Sequence, residues 1–462
     1  MASESLIQRD LRTVWHPCAQ MRDYQQVPPI QIVGAQGCRL QLADGRQIID
    51  GIASWWCKSL GHGHPHLRAA LIAQAERFEH VLLANTTYAG VVDVSERILH
   101  AANREPAARW AAGASPSPVD GWFSRVFYAD NGSTGVEVAL KMALQWQQQT
   151  GHPKRTRLAA LRDGYHGETA GAMSVSDLGL YKAPFAPLCV DTLQLGPLPQ
   201  RSGPEDPRWL DASAEWPAIA EQLDAAADTL AAIIYEPILQ GAAGMRLYSP
   251  DLLPRLRTWA DAHGVVLIAD EIAAGLGRLG PMLASHLSDV LPDLAICSKG
   301  LTGGFLPLSV VLATERIYAA FDADWLDGKA FLHSNTYAGN ALAVAVANAA
   351  LDVYAADNIP AQVAERGPLL RQGLAAIAQR IPGLINVRGA GMVAAVDLVQ
   401  PNGAPWLRER RTGWRFFQAA LRHGALLRPL GDTIYLFPPL TMTAAEIAEL
   451  LAITERSLRD IQ

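Results

Sequence analysis

The stretches Val265–Glu271 (VVLIADE) and Ile296–Leu301 (ICSKGL) decide the fold of this chain. Each begins as a short apolar run, which is typical of a buried strand, and ends abruptly in polar residues and a turn. The first stretch ends in the carboxylate of Asp270, and the second ends in Lys299, before a glycine-rich turn. Because about one β-turn-α unit separates them, both residues are expected at neighbouring strand ends of one sheet.

A lysine and a carboxylate at this edge of a sheet indicate a pyridoxal phosphate site. The lysine amine forms a Schiff base with the cofactor aldehyde, and the carboxylate keeps the pyridine nitrogen protonated so that the ring withdraws electrons. Taken alone, either residue is more often a surface lysine or a helix-capping aspartate. The hypothesis therefore depends on the rest of the chain.

A phosphate site is predicted at Asn131–Gly135 (NGSTG), between a predicted strand and a helix that runs to Gln149. Glycines allow close approach of the backbone, and the free N–H groups and dipole of a helix N-terminus favour an anion. Gly132 and Ser133 are the candidate ligands. The alternative is an ordinary helix cap, because Ser and Thr are preferred at that position in any case.

Composition narrows the possible classes of protein. The chain has 462 residues, of which 50% are hydrophobic and 18% charged, so we expect a globular protein with more than one domain. A net charge of −6 argues against nucleic acid or an anionic membrane surface as a partner. Five scattered cysteines without a C-x-x-C motif argue against structural zinc and favour the reducing cytoplasm. The N-terminus lacks a signal-peptide pattern, and the apolar segment 341–356 is too short for a membrane span, which predicts a buried helix.

Alternating strand and helix patterns predict an α/β fold with a mostly parallel central sheet covered by helices. Residues 38–50 predict a hairpin, and residues 102–121 and 196–217 predict long loops. Strands are predicted at 124–129, 157–162, 230–236, 265–270, 293–297 and 308–313, with helices near 135–149, 250–263 and 340–356. The pattern then changes to a smaller α+β unit with helices at 360–380, 409–423 and 443–459 and strands at 392–399, 425–428 and 434–437.

Two motifs resemble a metal site and a dinucleotide-binding site, but their neighbouring residues argue against both. Histidines at positions 62, 64 and 66 could suggest a metal, but Gly63 and Pro65 predict a turn that opens a helix, and no carboxylate or thiol cluster accompanies them. The segment Gly275–Gly280 matches the dinucleotide fingerprint G-x-G-x-x-G. Two carboxylates precede it, where they would repel a pyrophosphate, and Pro281 interrupts any following helix.

The ordered set of motifs resembles the class III (ω-amino acid) aminotransferases of the fold-type I pyridoxal phosphate enzymes. The resemblance extends over nearly the whole chain. It rests on Trp15–Pro17, Ser54–Trp56, Gly132–Ser133, Gly164–Gly167, Glu236–Pro237, Ile268–Glu271, Gly277–Arg278, Ser298–Gly304 and Arg428–Gly431. It implies a large cofactor-binding domain (53–356) and a small domain built from both termini (1–52 and 357–462). It also implies a homodimer with shared active sites.

The same resemblance implies a role for each matching residue. Lys299 would carry the internal aldimine and move the proton, Asp270 would pair with the ring nitrogen, and Tyr165 would stack on the ring. Gly132 and Ser133 would bind the phosphate, together with Thr336 of the partner subunit. Substrate binding would fall to Trp55, Trp56, Arg428, Tyr435 and Arg278. Glu236 would lie near the phenolic edge of the cofactor, and no residue is expected to bind a metal.

Within the family, the pattern is similar to the members that aminate 8-amino-7-oxononanoate to 7,8-diaminononanoate in biotin biosynthesis by a ping-pong mechanism. The expected amino donor is S-adenosylmethionine, whose sulfonium suits the faces of paired tryptophans. Lysine stays open as the donor, because Cys18 replaces the usual tyrosine and His333–Thr336 departs from the usual His-Gly-Pro-Thr. The residues also leave open an ω-amino acid:pyruvate aminotransferase, a nicotinamide oxidoreductase and a non-catalytic binding protein.

Overall fold

A seven-stranded sheet forms the centre of the computed structural model, which describes residues 5–103 and 122–461. Strand Val266–Asp270 pairs in parallel with Leu294–Cys297, so Asp270 lies opposite Ile296, three residues before Lys299. All seven strands run in one direction except Ser309–Thr314, which is antiparallel to both of its neighbours. The spatial order is Phe123–Ala129, Ser309–Thr314, Leu294–Cys297, Val266–Asp270, Leu230–Tyr235, Arg157–Leu161 and Thr192–Leu195.

Helices cover the central sheet because its strands are apolar on both faces. Every residue of Leu230–Tyr235 (LAAIIY) and of Ser309–Thr314 (SVVLAT) is buried, so neither face can be left to water. The right-handed α-helices of the described ranges are Leu6–Thr13, Pro65–Ala75, Ala89–Asn103, Gly132–Gln149, Ala170–Val175, Gly179–Lys182, Trp216–Asp224, Leu252–His263, Glu315–Tyr318, Ala341–Ala356, Ile359–Arg380, Thr412–His423 and Ala444–Arg459.

Three smaller sheets complete the fold, and one of them joins the two ends of the chain. Strand Gln47–Asp50 pairs in parallel with Ala425–Leu426. The small domain of residues 1–52 and 357–462 stays a prediction. The first small sheet contains Ile32–Gln36, Arg39–Leu42, Gln47–Asp50 and Ala425–Leu426; the second contains Leu384–Ala390, Val393–Leu398 and Thr433–Leu436; the third contains Gln200–Arg201, Arg246–Tyr248 and Leu239–Gln240.

The predicted central strands and helices are confirmed, with ends shifted by a few residues. The sequence pattern missed strands Thr192–Leu195 and Leu384–Ala390, which are short or carry several partly exposed residues. The predicted loop at 196–217 was wrong in part, because it contains strand Gln200–Arg201 and the start of helix Trp216–Asp224. Of the predicted loop at 102–121, residues 102 and 103 end a helix, and the remainder lies outside the described residues.

The predicted helix at 340–356 is confirmed as Ala341–Ala356, and most of its side chains are buried. In the described part of the chain, no single helix is both long and apolar enough to cross a membrane. That helix and the next, Ile359–Arg380, meet such a criterion only when taken together, and they are bent by 68° relative to each other.

Candidate active site

A cavity of about 430 Å³ lies at the carboxyl ends of the central parallel strands. Ligands of open α/β sheets bind at this edge, and the volume lies within the usual range for a cofactor or small-molecule site. The predicted residues Gly132, Ser133, Tyr165, Asp270 and Lys299 all line it. Residues that are far apart in the sequence are therefore brought together as the strand-end argument predicted.

Lys299 enters the cavity from the turn that ends strand Leu294–Cys297. The strand is fully buried, and Ser298 anchors the turn by donating from Oγ to the carbonyl oxygen of Leu308 over 2.8 Å. Burial lowers the pKa of Lys299, although the carboxylates of Asp270 and Glu236 act in the opposite direction. A lowered pKa leaves more of the amine uncharged at neutral pH, which is the form that attacks a carbonyl carbon.

Asp270 is held in a fixed orientation by two hydrogen bonds. Its Oδ1 accepts from the backbone N–H of Ile272 over 3.1 Å, and its Oδ2 accepts from Nδ1 of His166 over 2.8 Å. Both Asp270 and His166 are buried. Sequence reasoning gave His166 no role, and its position one residue after the predicted Tyr165 was the only signal that could have found it.

Glu236 joins the wall of the cavity to the backbone around Tyr165. Its Oε2 accepts from the N–H of Tyr165 and its Oε1 accepts from the N–H of Gly241, each over 3.0 Å. Burial, reinforced by the charge of Asp270, raises the pKa of Glu236 to about 7. Glu236 is therefore a carboxyl group that can change protonation near neutral pH inside the cavity.

Glycines and a helix N-terminus form the end of the cavity at which the phosphate site was predicted. Asn131 caps helix Gly132–Gln149 by accepting from the N–H of Thr134, and the first turn of any helix carries N–H groups without intrahelical partners. Gly167 has a φ of +127°, and a Cβ at that position would lie 2.2 Å from Oγ of Ser133. Glycine at position 167 therefore allows the backbone to pack directly against Ser133, where any larger residue would collide with it.

These groups fit pyridoxal phosphate. The cavity presents a lysine amine, a buried carboxylate held by a histidine, an aromatic ring and an anion cradle at the start of a helix. The cofactor requires each of these groups: the amine for its aldehyde, the carboxylate for its ring nitrogen and the cradle for its phosphate.

A turn of left-handed helix at Ala53–Trp56 carries the two predicted tryptophans. The four φ angles are +48°, +46°, +67° and +74°. The N–H groups of Trp56 and Cys57 donate to the carbonyl oxygens of Ile52 and Ala53, so the turn is closed by helical hydrogen bonds. For L-residues other than glycine this conformation costs about 1–2 kcal/mol per residue. Such strain persists only where surrounding contacts impose it, and it is concentrated at functional sites.

The left-handed turn places its two indole rings in different surroundings. Trp56 lines the cofactor cavity, its ring centroid lies 5.2 Å from Nζ of Lys299, and its Nε1 donates to the hydroxyl of Tyr435 over 3.2 Å. Trp55 lines a second cavity of about 780 Å³, where the guanidinium of Arg428 lies 4.7 Å from its ring centroid. Arg428 also donates to the carbonyl oxygen of Cys18. The predicted substrate residues thus form two contacting pairs, Trp56 with Tyr435 and Trp55 with Arg428, which are joined through the backbone of the turn.

Two predicted residues are not brought to these cavities. Arg278 is buried, donates to the carbonyl oxygens of Met392 and Pro438, and stacks on Phe437, and it lines neither cavity of the described structure. In this structure Arg278 connects chain segments, and its predicted contact with the substrate stays a prediction. Thr336 is exposed and lines neither cavity of its own chain, so its predicted role depends on a second copy.

The glycine and histidine motifs that suggested other chemistry have surroundings that do not fit that chemistry. Gly275–Gly280 lies in consecutive turns that lead to a short 3₁₀ helix, Ala284–Ser288, rather than to a long helix that could receive a pyrophosphate. Two of the three histidines are bonded to aspartates: His62 to Asp50 and His66 to Asp352, each over 2.9 Å. Within residues 5–103 and 122–461, no group of three or more potential ligands is arranged to hold a metal ion.

Comparison with known proteins places this arrangement in a family. The model of the class-III aminotransferases matches residues 19–458. The adenosylmethionine-8-amino-7-oxononanoate aminotransferase of Geobacter sulfurreducens is 34% identical over 99% of this chain and 98% of its own length. The protein of the same name from Synechococcus elongatus is 39% identical over 97% and 99%.

Solved structures agree with the sequence relatives. The adenosylmethionine-8-amino-7-oxononanoate aminotransferase of Methanocaldococcus jannaschii superposes with a TM-score of 0.89 at 27% identity, covering 99% of both chains. An amine transaminase from an uncultivated Pseudomonas species, solved in its PLP-bound form, gives a TM-score of 0.87 at 32% identity. That alignment covers 97% of this chain and 99% of the other.

Proposed function

The chain belongs to the class-III aminotransferase family, and we propose that it transfers an amino group to the ketone of 8-amino-7-oxononanoate, giving 7,8-diaminononanoate for biotin synthesis. S-adenosylmethionine is the proposed amino donor. The names of the relatives from Geobacter and Synechococcus support both substrates, since each aligns over nearly its whole length. The family fixes the reaction as transamination with pyridoxal phosphate.

One observation carries the choice of acceptor: the position of Arg428 relative to Lys299. Trp56 lies beside Lys299, and Arg428 lies over the ring of the adjacent Trp55, so two consecutive residues contact the reacting amine and the guanidinium. A long, mainly apolar keto acid suits this arrangement, because its chain would contact the indoles while its carboxylate met the planar fork of the arginine.

The proposed roles follow from the contacts of each side chain. Gly132 and Ser133 hold the phosphate, Tyr165 covers the ring face, and Asp270 holds the proton of the ring nitrogen. Bound pyridoxal phosphate supplies an electron-withdrawing ring that makes the substrate C–H acidic. The uncharged amine of Lys299 then takes the proton from the substrate carbon, and burial favours that form.

Pairing of two copies is proposed to complete the site with Thr336 of the second copy. The segment just before Thr336 in the chain carries large apolar side chains that are almost fully exposed: Trp325 (90%), Leu326 (88%) and Leu332 (89%). Exposed apolar surface of this kind marks an association site. We also propose a cytoplasmic location, which the five free thiols support. Light scattering tests the dimer.

Half-reactions test the proposed substrates. The purified holoenzyme is mixed separately with S-adenosylmethionine and with lysine, and the loss of the visible absorbance of the bound cofactor is followed. The aminated enzyme is then given 8-amino-7-oxononanoate or pyruvate. The proposal is supported if S-adenosylmethionine converts the bound cofactor to its aminated form and 8-amino-7-oxononanoate converts it back. If only lysine gives the aminated form, lysine is the donor.

A second candidate is an amine:pyruvate transaminase, favoured by the 32% identity to the Pseudomonas amine transaminase. Rapid return of the holoenzyme's visible absorbance with pyruvate, but not with 8-amino-7-oxononanoate, would establish this second function. Two-substrate kinetics should give parallel double-reciprocal lines in either case, because one amino group is carried by the enzyme between two half-reactions.

A further inference from the structure

We propose that Asp50, with Ser54 and His62, forms a positioning site that holds the left-handed turn Ala53–Trp56 and thereby places Trp56 beside Lys299 and Trp55 beside Arg428. We call these three residues the Asp50 brace. The proposal rests on the proposed function for its kinetic consequence. Its structural part, that the brace holds the turn, concerns this chain alone.

The contacts of Asp50 are directed at the turn. Asp50 is fully buried, and its Oδ2 accepts from Oγ of Ser54 over 2.7 Å and from Nε2 of His62 over 2.9 Å. Its Oδ1 lies 3.4 Å from the N–H of Ile52, the residue whose carbonyl closes the turn. A buried carboxylate thus holds both the beginning of the turn and one of the residues inside it.

The turn needs such a brace because its own sequence does not favour its conformation. Ala53, Ser54, Trp55 and Trp56 all have positive φ, and glycine is absent from the segment. Without an external constraint, L-residues return to the right-handed or extended regions. Ser54 lies inside this strained segment. Its hydrogen bond to Asp50 therefore holds the segment from within.

The turn determines how the two subsites are related. Trp56 packs against Phe437 and lines the cavity of Lys299, whereas Trp55 faces Arg428 in the second cavity. A change of hand at residues 54 and 55 would redirect both indoles. Asp50 lines neither cavity of the described structure, so it acts through the turn and touches neither subsite.

Three variants and one control test the brace. Asp50→Asn removes the charge that holds Ser54 and His62, and Ser54→Ala removes only one hydroxyl in case the first variant fails to fold. Ala53→Gly added to Asp50→Asn supplies a residue that tolerates positive φ and should rescue it. Asp44→Asn is the control, because Asp44 also accepts a hydrogen bond from the chain, in the exposed turn of the same hairpin.

The first readout is amide hydrogen exchange of residues 50–60 in the cofactor-free protein, which does not depend on the reaction. Faster exchange of Trp56, Cys57 and Lys58 in Asp50→Asn and Ser54→Ala, but not in Asp44→Asn, is expected. The second readout is the KM for the keto-acid acceptor, which should rise by at least about tenfold because a small misplacement of two subsites weakens a ligand that spans both. Pyridoxal phosphate affinity should stay within twofold, and Ala53→Gly should restore the KM.

Two outcomes overturn the proposal. Unchanged exchange at residues 56–58 in both variants would mean that the turn does not need Asp50. Faster exchange with an unchanged KM would mean that the brace has only a structural role. If the wild-type enzyme turns over a different acceptor, the proposed function fails, while the exchange experiment still decides whether the brace exists.

Discussion

Nδ1 of His166 lies 2.8 Å from Oδ2 of Asp270, and both side chains are buried at the end of the central strand that carries Asp270. The other carboxylate oxygen accepts from the backbone of Ile272. Because two donors on different segments hold the carboxylate, its plane is fixed before any ligand arrives. Preorganisation of this kind is what a group that must meet a ring nitrogen requires.

Replacing His166 by Leu is expected to lower kcat by about ten- to hundredfold, because the carboxylate loses a donor and can rotate away from its partner. Stopped-flow half-reactions measure the effect on each substrate, and titration of the apoprotein measures cofactor affinity. His423→Leu is the matched control, since His423 also contacts an aspartate, Asp460, but at the surface. Equal rates in the two variants would show that the His166 bond has no role in the reaction.

Replacing Lys299 by Ala is expected to abolish nearly all turnover, because among the described residues that line the cavity no other lysine could form the covalent link or move the proton. The visible absorbance of the bound cofactor should shift to that of the free aldehyde. Lys154→Ala provides the control, because Lys154 is exposed on a surface turn. Transamination at the wild-type rate by the Lys299 variant would contradict the assignment.

Arg428→Ala is expected to raise the KM for the keto-acid acceptor about tenfold or more, since a hydrogen bond between two charged groups is lost. The donor half-reaction should change much less. Separate single-turnover measurements of the two half-reactions distinguish these effects, with Arg415→Ala, an exposed arginine of the neighbouring helix, as the control. Slowing of the donor half-reaction alone would assign Arg428 to the donor instead.

The buried carboxyl of Glu236 predicts a pH-dependent stability. Its pKa rises from 4.5 to about 7 on folding, so between these values the folded protein keeps a proton that the unfolded chain has lost. The unfolded state then binds fewer protons, and the contribution of Glu236 to stability falls as the pH rises through this window.

Glu236→Gln removes this titration. Its melting temperature, relative to that of the wild type, should therefore rise by a few degrees as the pH is raised from 4.5 to 7. The apoprotein is melted across the window by calorimetry, with the exposed Glu96→Gln as the control. A difference between wild type and Glu236→Gln that does not change with pH would mean that Glu236 is ionised in the folded protein throughout.

The sequence predicted the residues that end buried strands. Asp270 directly follows one apolar run, and Lys299 comes one residue after the end of a second run, so both are expected at the sheet edge. Gly132 and Ser133 could also be found from the sequence, because glycine and serine are preferred residues at the start of a helix. The resemblance to the family then supplied Trp55, Trp56 and Arg428, which no periodicity distinguishes from core or surface residues.

Other features had no signal in the sequence. The left-handed turn lacks glycine, so residue preference predicts the opposite hand for Ala53–Trp56. The bond between Asp50 and His62 joins a strand to a loop, and nothing in the spacing pairs them. Arg278 sits among glycines that suggested a ligand loop, yet its guanidinium turns toward the carbonyl oxygens of Met392 and Pro438. Which way a side chain projects from an irregular loop is decided by tertiary packing.

The parallel pairing of Gln47–Asp50 with Ala425–Leu426 affects how the protein is made on the ribosome. The N-terminal hairpin emerges early, but the strand that covers its edge is translated roughly 20–75 s later at ordinary elongation rates of about 5–20 residues per second. During that time the hairpin is a nascent sheet with an open edge, which is a template for unwanted pairing. The emerging polypeptide therefore has to keep its first strands apart from neighbouring nascent chains until translation is almost finished.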